Sequence, residues 1–165
     1  MKEEKISESK TLAGKYLTFN LMDEYYGISV DWILQIIAIP EITVIPKTPP
    51  FVKGVINLRG KIIPVMDMRL RFSLPVQEYD ERTSIVIIKI KIEKDEVYIG
   101  FIVDKVNEVL DIEEKETEKT PTFGVDLDTR YILGMAKVKN KVTTLLNISE
   151  IITQNIIDQL DNSKK

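Results

Sequence analysis

Neither cysteine nor histidine occurs anywhere in the 165 residues. Without cysteine there is no disulfide, no thiolate nucleophile and no zinc–thiolate site, a usage that suits a reducing compartment. Without histidine the commonest general base and the commonest transition-metal ligand are missing. Any catalysis would have to run on carboxylates, lysines or hydroxyls. Charge of one sign is also lacking: 23 Lys and Arg face 26 Asp and Glu, a net charge of −3, so no polybasic field exists to hold nucleic acid or lipid. The expected partners are therefore proteins. No stretch reaches the ~18–20 unbroken apolar residues that a membrane span requires. The opening MKEEKISESK mixes charges with no apolar stretch behind it, so no secretory signal is expected. The expected location is the cytoplasm, with no direct membrane insertion.

What the chain does have is many short apolar runs rich in β-branched residues. Lys15 to Leu21 alternates, Met22-Asp23-Glu24 makes a turn and Tyr25 to Val30 follows, which reads as a hairpin. Ser84 to Ile92, Glu93 to Glu96 and Val97 to Val103 repeat the arrangement. Prolines at 40, 46, 49 and 50 predict a turn-rich connector with little helix. Only the last segment looks firmly helical: Ile148, Ile151, Ile152, Ile156 and Leu160 keep helical spacing, and Asn147 with Glu150 resembles a capping box. Residues 1–14 and 161–165 read as polar tails flanking one domain over 15–160.

The two halves resemble each other. Tyr25-Tyr26-Gly27-Ile28-Ser29-Val30-Asp31 aligns with Tyr98-Ile99-Gly100-Phe101-Ile102-Val103-Asp104, with Tyr, Gly, Val and Asp identical. At a slightly larger offset Gly54 aligns with Gly134, Gly60 with Asn140, Lys61 with Lys141 and Asp67 with Asn147. That second block makes sense as a recurring unit: a Gly where segments approach, a strand, a turn tip tolerant of positive φ, a second strand, and an Asx helix cap. The duplication predicts two small barrel-like β lobes, from approximate repeats 15–75 and 84–155, with few short helices. Barrels of this kind often borrow strands across a pseudo-repeat.

Gly54-Val-Ile-Asn-Leu-Arg-Gly60-Lys61 superficially suggests a phosphate-binding loop. The glycine spacing is one residue too long, Ile62 stands where a Ser or Thr must ligate Mg²⁺, and Ile62-Ile63-Pro64-Val65 continues as strand. The wider stretch from Phe51 to Phe72, with Asn57-Leu58-Arg59-Gly60, Pro64-Val65 and Asp67 at its heart, instead closely resembles the signature of the CheW family. Tyr26-Gly27-Ile28, Ile42 to Pro46, Gly100 to Asp104, Leu133-Gly134 and Leu145 to Ile148 extend the resemblance over almost the whole chain. The resemblance implies a mostly β fold of two five-stranded SH3-like β-barrel subdomains. It also implies a non-enzymatic adaptor that couples the regulatory domain of the chemotaxis histidine kinase CheA to the cytoplasmic tip of methyl-accepting chemoreceptors. No cofactor is implied, and the isolated protein is expected to be a monomer.

By the same resemblance, Arg59 lies at the receptor-binding surface, where a guanidinium's forked donors suit carboxylates or carbonyls on a partner helix. Gly54 and Asn57 accompany it, each equally readable as structural: Gly54 for close packing, Asn57 for a turn. The position of Ile33 is associated with receptor coupling. Gln35 departs from the family's usual Glu, whereas its repeat counterpart Glu108 keeps the acid. Kinase-contact residues are not marked by any motif. Asp31, Asp67 and Asp104 are read as capping or bounding helical turns. Asn147 replaces Asp67 in the second repeat, and an amide can cap but cannot act as a base. Trp32 to Ile37 holds more apolar residues than one face of a short helix can bury, so part of it is expected to be exposed for a partner. Glu113 to Lys119 reads as a solvated charge run. Other classes considered are a CheW-like adaptor in a non-motility array, a receiver-fused coupling protein, a carboxylate enzyme in a barrel cleft and a β-barrel nucleic-acid binder. Only the first shares all the features above.

Overall fold

The computed structural model describes residues 12–119 and 129–152. The described residues form eleven strands: β1 Gly14–Leu21, β2 Glu24–Ser29, β3 Ile33–Ala38, β4 Val52–Leu58, β5 Lys61–Asp67, β6 Ser84–Ile92, β7 Asp95–Val103, β8 Lys105–Ile112, β9 Thr117–Glu118, β10 Ile132–Val138 and β11 Lys141–Leu146. Two single-turn helices, α1 Met68–Arg71 and α2 Ile148–Ile151, follow β5 and β11.

The strands form two sheets, one six-stranded in the order β8-β1-β2-β11-β10-β9 and one five-stranded in the order β3-β6-β7-β5-β4. The fold is mostly β, as expected, and the duplication governs it. Repeat-equivalent strands occupy equivalent places, but each sheet combines strands from both halves of the sequence. The crossover is parallel in both: Leu145 pairs with Gly27, and Val65 pairs with Gly100. A methyl group on Gly100 would collide with the neighbouring strands, 2.7 Å from Ile85 and 2.8 Å from Val65, whereas one on Gly27 would be tightly packed, 3.2 Å from Leu145.

Local sequence explains the turns. Met22 and Glu93 take positive φ at the two hairpin tips, and Arg59-Gly60 and Lys139-Asn140 take positive φ at both central positions, the type I′ pattern that matches strand twist. Asp67 caps α1 by accepting from the Arg69 and Leu70 N–H groups, and Asn147 caps α2 by accepting from Glu150 N–H. Trp32 to Ile37, weighed as a helix above, is instead the end of a 3₁₀ turn leading into β3, where β-branched residues on a half-buried surface favour strand. Glu113 to Lys119 is a 3₁₀ turn with a Glu113–Glu116 capping box, followed by β9. Ile156, Leu160 and both predicted tails apart from residues 12–14 lie outside the described residues.

Three apolar clusters hold the molecule. One face of the five-stranded sheet buries Ile56, Ile63, Val65, Ile85, Ile87 and Ile102. One face of the six-stranded sheet buries Tyr16, Ile112, Ala136 and Leu145. The other faces meet in the largest cluster, where Leu17, Phe19 and Ile28 oppose Met66, Val86, Ile88 and Phe101. β6 is therefore buried on both sides, which explains its unbroken apolar run.

Candidate partner-binding surface

The β4–β5 turn presents Arg59 in an exposed position. Asn57 holds that turn, its Oδ1 accepting from Gly60 N–H at 2.9 Å. The Arg59 guanidinium donates to Gln35 Oε1 on β3. Since β3 and β4 are opposite edges of the five-stranded sheet, the sheet must curl enough for its edges to communicate through this pair. Gln35 lies beside a register shift in β3, and Leu34 and Ile36 on either side are 44% and 42% exposed. Ile62, just past the turn, is 54% exposed. The structure thus brings Arg59, Asn57 and Gln35 together beside an apolar rim that sequence periodicity did not resolve.

Ile33 is half-buried and packs against the inter-sheet cluster. Gly54 lies below the surface. Its φ is +143°, and a methyl group there would fall on the Thr43 carbonyl, which accepts from Val55 N–H while Thr43 N–H donates back. Backbone packing alone accounts for the residue type.

The second repeat carries a parallel arrangement. Lys139 at the β10–β11 turn forms an ion pair with Glu108 on β8 at 3.7 Å, matching Arg59 with Gln35. Lys61 lies over the Tyr98 ring at 5.0 Å, and Lys141 over Tyr25 at 4.8 Å.

The carboxylates are committed elsewhere. Asp67, besides capping α1, accepts from the Tyr79 hydroxyl at 2.7 Å. Burial first, and then the facing Asp67 carboxylate, raise the Tyr79 pKa above its ordinary value. Asp104 neither caps nor bounds a helical turn, contrary to the reading above: between β7 and β8 it receives the Arg69 guanidinium through Nε and Nη2, together with Met22 N–H at 2.8 Å. That hydrogen bond raises the Arg69 pKa, outweighing the lowering by burial. Asp31 sits inside a 3₁₀ turn whose cap is Ser29, with the Asp31 N–H donating to Ser29 Oγ. Among the described residues no group of three or more acids is placed to hold a metal, and no helix is long and apolar enough to cross a membrane.

The family model of the CheW-like domain matches residues 15–155. The chain is 31% identical to the chemotaxis protein CheW of Klebsiella aerogenes over 94% of its own length and 92% of that protein's. It is 33% identical to the CheW of Bacillus subtilis, covering 84% of this chain and 86% of the relative. A crystal structure of the scaffolding protein TtCheW from Thermoanaerobacter tengcongensis superposes with a TM-score of 0.76 at 33% identity, covering 88% of this chain and 96% of that one. Fold, duplicated architecture and sequence agree that this chain belongs to the CheW family of chemotaxis scaffold proteins.

Proposed function

We propose that the protein is a non-enzymatic cytoplasmic adaptor that couples the regulatory domain of a CheA kinase to the cytoplasmic tip of a chemoreceptor at membrane-associated receptor arrays. The observation that carries this reading is the exposed Arg59–Gln35 pair, held by the Asn57-braced turn and bordered by Leu34, Ile36 and Ile62. An apolar rim around a forked donor suits an amphipathic receptor helix whose carboxylates or carbonyls meet the guanidinium. Arg59 and Asn57 are its polar contacts, Ile33 supports β3 from beneath, and Gly54 supports the turn's strand. The mechanism is geometric: two partners held in register let a receptor conformational change shift the kinase's populations.

The test is calorimetric titration of the protein with a cognate CheA regulatory domain and, separately, with a receptor-tip fragment, using wild type, Arg59→Ala and Lys139→Ala. Receptor affinity should fall about tenfold or more, equivalent to about 1.4 kcal/mol, in Arg59→Ala alone, with kinase binding retained. No saturable heat with any cognate regulatory domain sinks the coupling role.

A further inference from the structure

α1 is one helical turn, yet it sends two arginines in opposite directions across the seam between the sheets. The Arg69 side chain is only 9% exposed. A buried guanidinium is tolerated only when its donors are met, and here they are: Asp104 takes Nε and Nη2, the Pro75 carbonyl takes Nη1 at 2.9 Å, and Gln77 Oε1 takes Nη2 at 2.8 Å. Asp104 is the single residue between β7 of the five-stranded sheet and β8 of the six-stranded sheet, and it contacts the β1–β2 hairpin of the latter. Its carboxylate accepts from Met22 N–H, and its own N–H donates to Asn20 O at 3.1 Å. Arg69 therefore holds the carboxylate that bridges the sheets at one end.

Arg71 bridges elsewhere. Its Nε and Nη2 donate to the Ile151 carbonyl at the end of α2, which follows β11 of the six-stranded sheet, at 3.3 and 2.8 Å. Its guanidinium also lies over the Phe51 and Tyr131 rings, at 4.9 and 4.7 Å. Ser149 and Ile151 stand at the repeat-equivalent positions of α2, so the arginines are not a requirement of the helical turn itself.

The apolar cluster between the sheets is extensive, but apolar contact is non-directional, and packed elements can undergo small shear displacements. Forked, charge-assisted hydrogen bonds are directional. We infer that Arg69 and Arg71 are positioning residues that fix the angle and register of one sheet against the other. β5 runs directly from the Arg59-Gly60 turn into α1, so a displacement at the candidate receptor surface is delivered to these two struts. The signalling consequence rests on the adaptor reading; the inter-sheet geometry does not.

The absence of cysteine makes a direct test clean. Spin labels on Ile62→Cys in the five-stranded sheet and Val142→Cys in the six-stranded sheet, both exposed, report the inter-sheet distance by pulsed dipolar spectroscopy. The measurement is made in the otherwise wild-type chain and with Arg69→Met, Arg71→Met, Arg71→Lys, or the surface control Arg82→Met. The expected result is one narrow distribution in the parent and in Arg82→Met. In the Arg69 and Arg71 variants the mean should move by about 2 Å, or the distribution should broaden. Arg71→Lys keeps charge and bulk while losing the fork, so it remains informative should either methionine variant fail to fold. An unchanged distribution in the folded variants, even with a lower melting temperature, overturns the inference. A broadened distribution in a protein whose wild type binds neither kinase nor receptor upholds the struts and removes only the adaptor reading.

Discussion

The two sheets carry one plan in two chemistries. On the five-stranded side, Ile63 and Ile87 belong to a cluster whose fully buried members are only isoleucine and valine. Their repeat equivalents on the six-stranded side, identified by pairing opposite Ala136 and Gly27, are the buried threonines Thr143 and Thr18. Thr18 uses its hydroxyl to close the β8 irregularity, donating to Glu108 O at 2.7 Å and accepting from Glu108 N–H at 3.2 Å. The five-stranded sheet makes the equivalent bend at Gln35 with an isoleucine beneath it. The lesson is that the bend is a property of the fold, whereas its support is a local choice: a polar brace on one side, apolar filling on the other. The exposed pairs differ in the same way, Arg59 to a neutral amide in one repeat and Lys139 to a carboxylate in the other.

The largest expected break in this correspondence is at the bulge glycines. Gly54→Ala places a methyl group on the Thr43 backbone in a strained φ and should cost about 3–5 kcal/mol. Gly134→Ala, with no positive φ, meets the movable tip of Leu12 and the Glu118 carbonyl and should cost about 1–3 kcal/mol. Urea unfolding of the two variants reads the difference, and equal losses would deny the two bulges their different surroundings.

Next come the core exchanges. Ile87→Thr buries a hydroxyl in a cluster whose fully buried side chains are all aliphatic and should cost about 2–4 kcal/mol. Thr18→Val, nearly isosteric, should cost about 1–3 kcal/mol by stripping partners from the Glu108 backbone. Hydrogen exchange at the Glu108 amide should accelerate in the second variant only.

The smallest effect is electrostatic and separates the two caps, since Asp67 receives a tyrosine hydroxyl whereas α2 is capped by the amide of Asn147. The folded Tyr79 pKa is raised, so above about pH 10 the unfolded chain releases a proton that the folded chain retains, and stability falls as pH rises. Tyr79→Phe should lose less stability than wild type between about pH 9 and pH 11 in parallel denaturant titrations. Identical slopes would remove Tyr79 from that balance.

Much of the fold was legible because its signals are local. Turn tips at Gly60 and Asn140, caps at Asp67 and Asn147, and both hairpins follow from φ preference, Asx chemistry and alternation within a few residues. The repeat alignment also correctly matched Gly27 with Gly100. Less was legible where the partner is distant. Asp104 looks like a cap by composition, and only the fold brings Arg69 to it across an intervening hairpin. β3 resisted reading because Leu34 and Ile36 fill its exposed positions while polar Gln35 fills a half-buried one, so its alternating burial is not mirrored in hydropathy. Of the proposed site, Arg59 and Asn57 followed from the turn motif. Gln35 drew notice as a departure, but its contact with Arg59 depends on the curl of a sheet whose edge strands are far apart in the chain.

The interleaving of the strands also bears on how the molecule is made. β11 inserts between β2 and β10, so Tyr25 and Gly27 find Thr143 and Leu145 only after all the strands from β3 to β10 have been made. Until then the β2 edge of the hairpin stays open. A stalled or prematurely terminated copy would therefore lack one complete sheet and carry its exposed edge into the cell, where the nearest cure is a strand from another molecule.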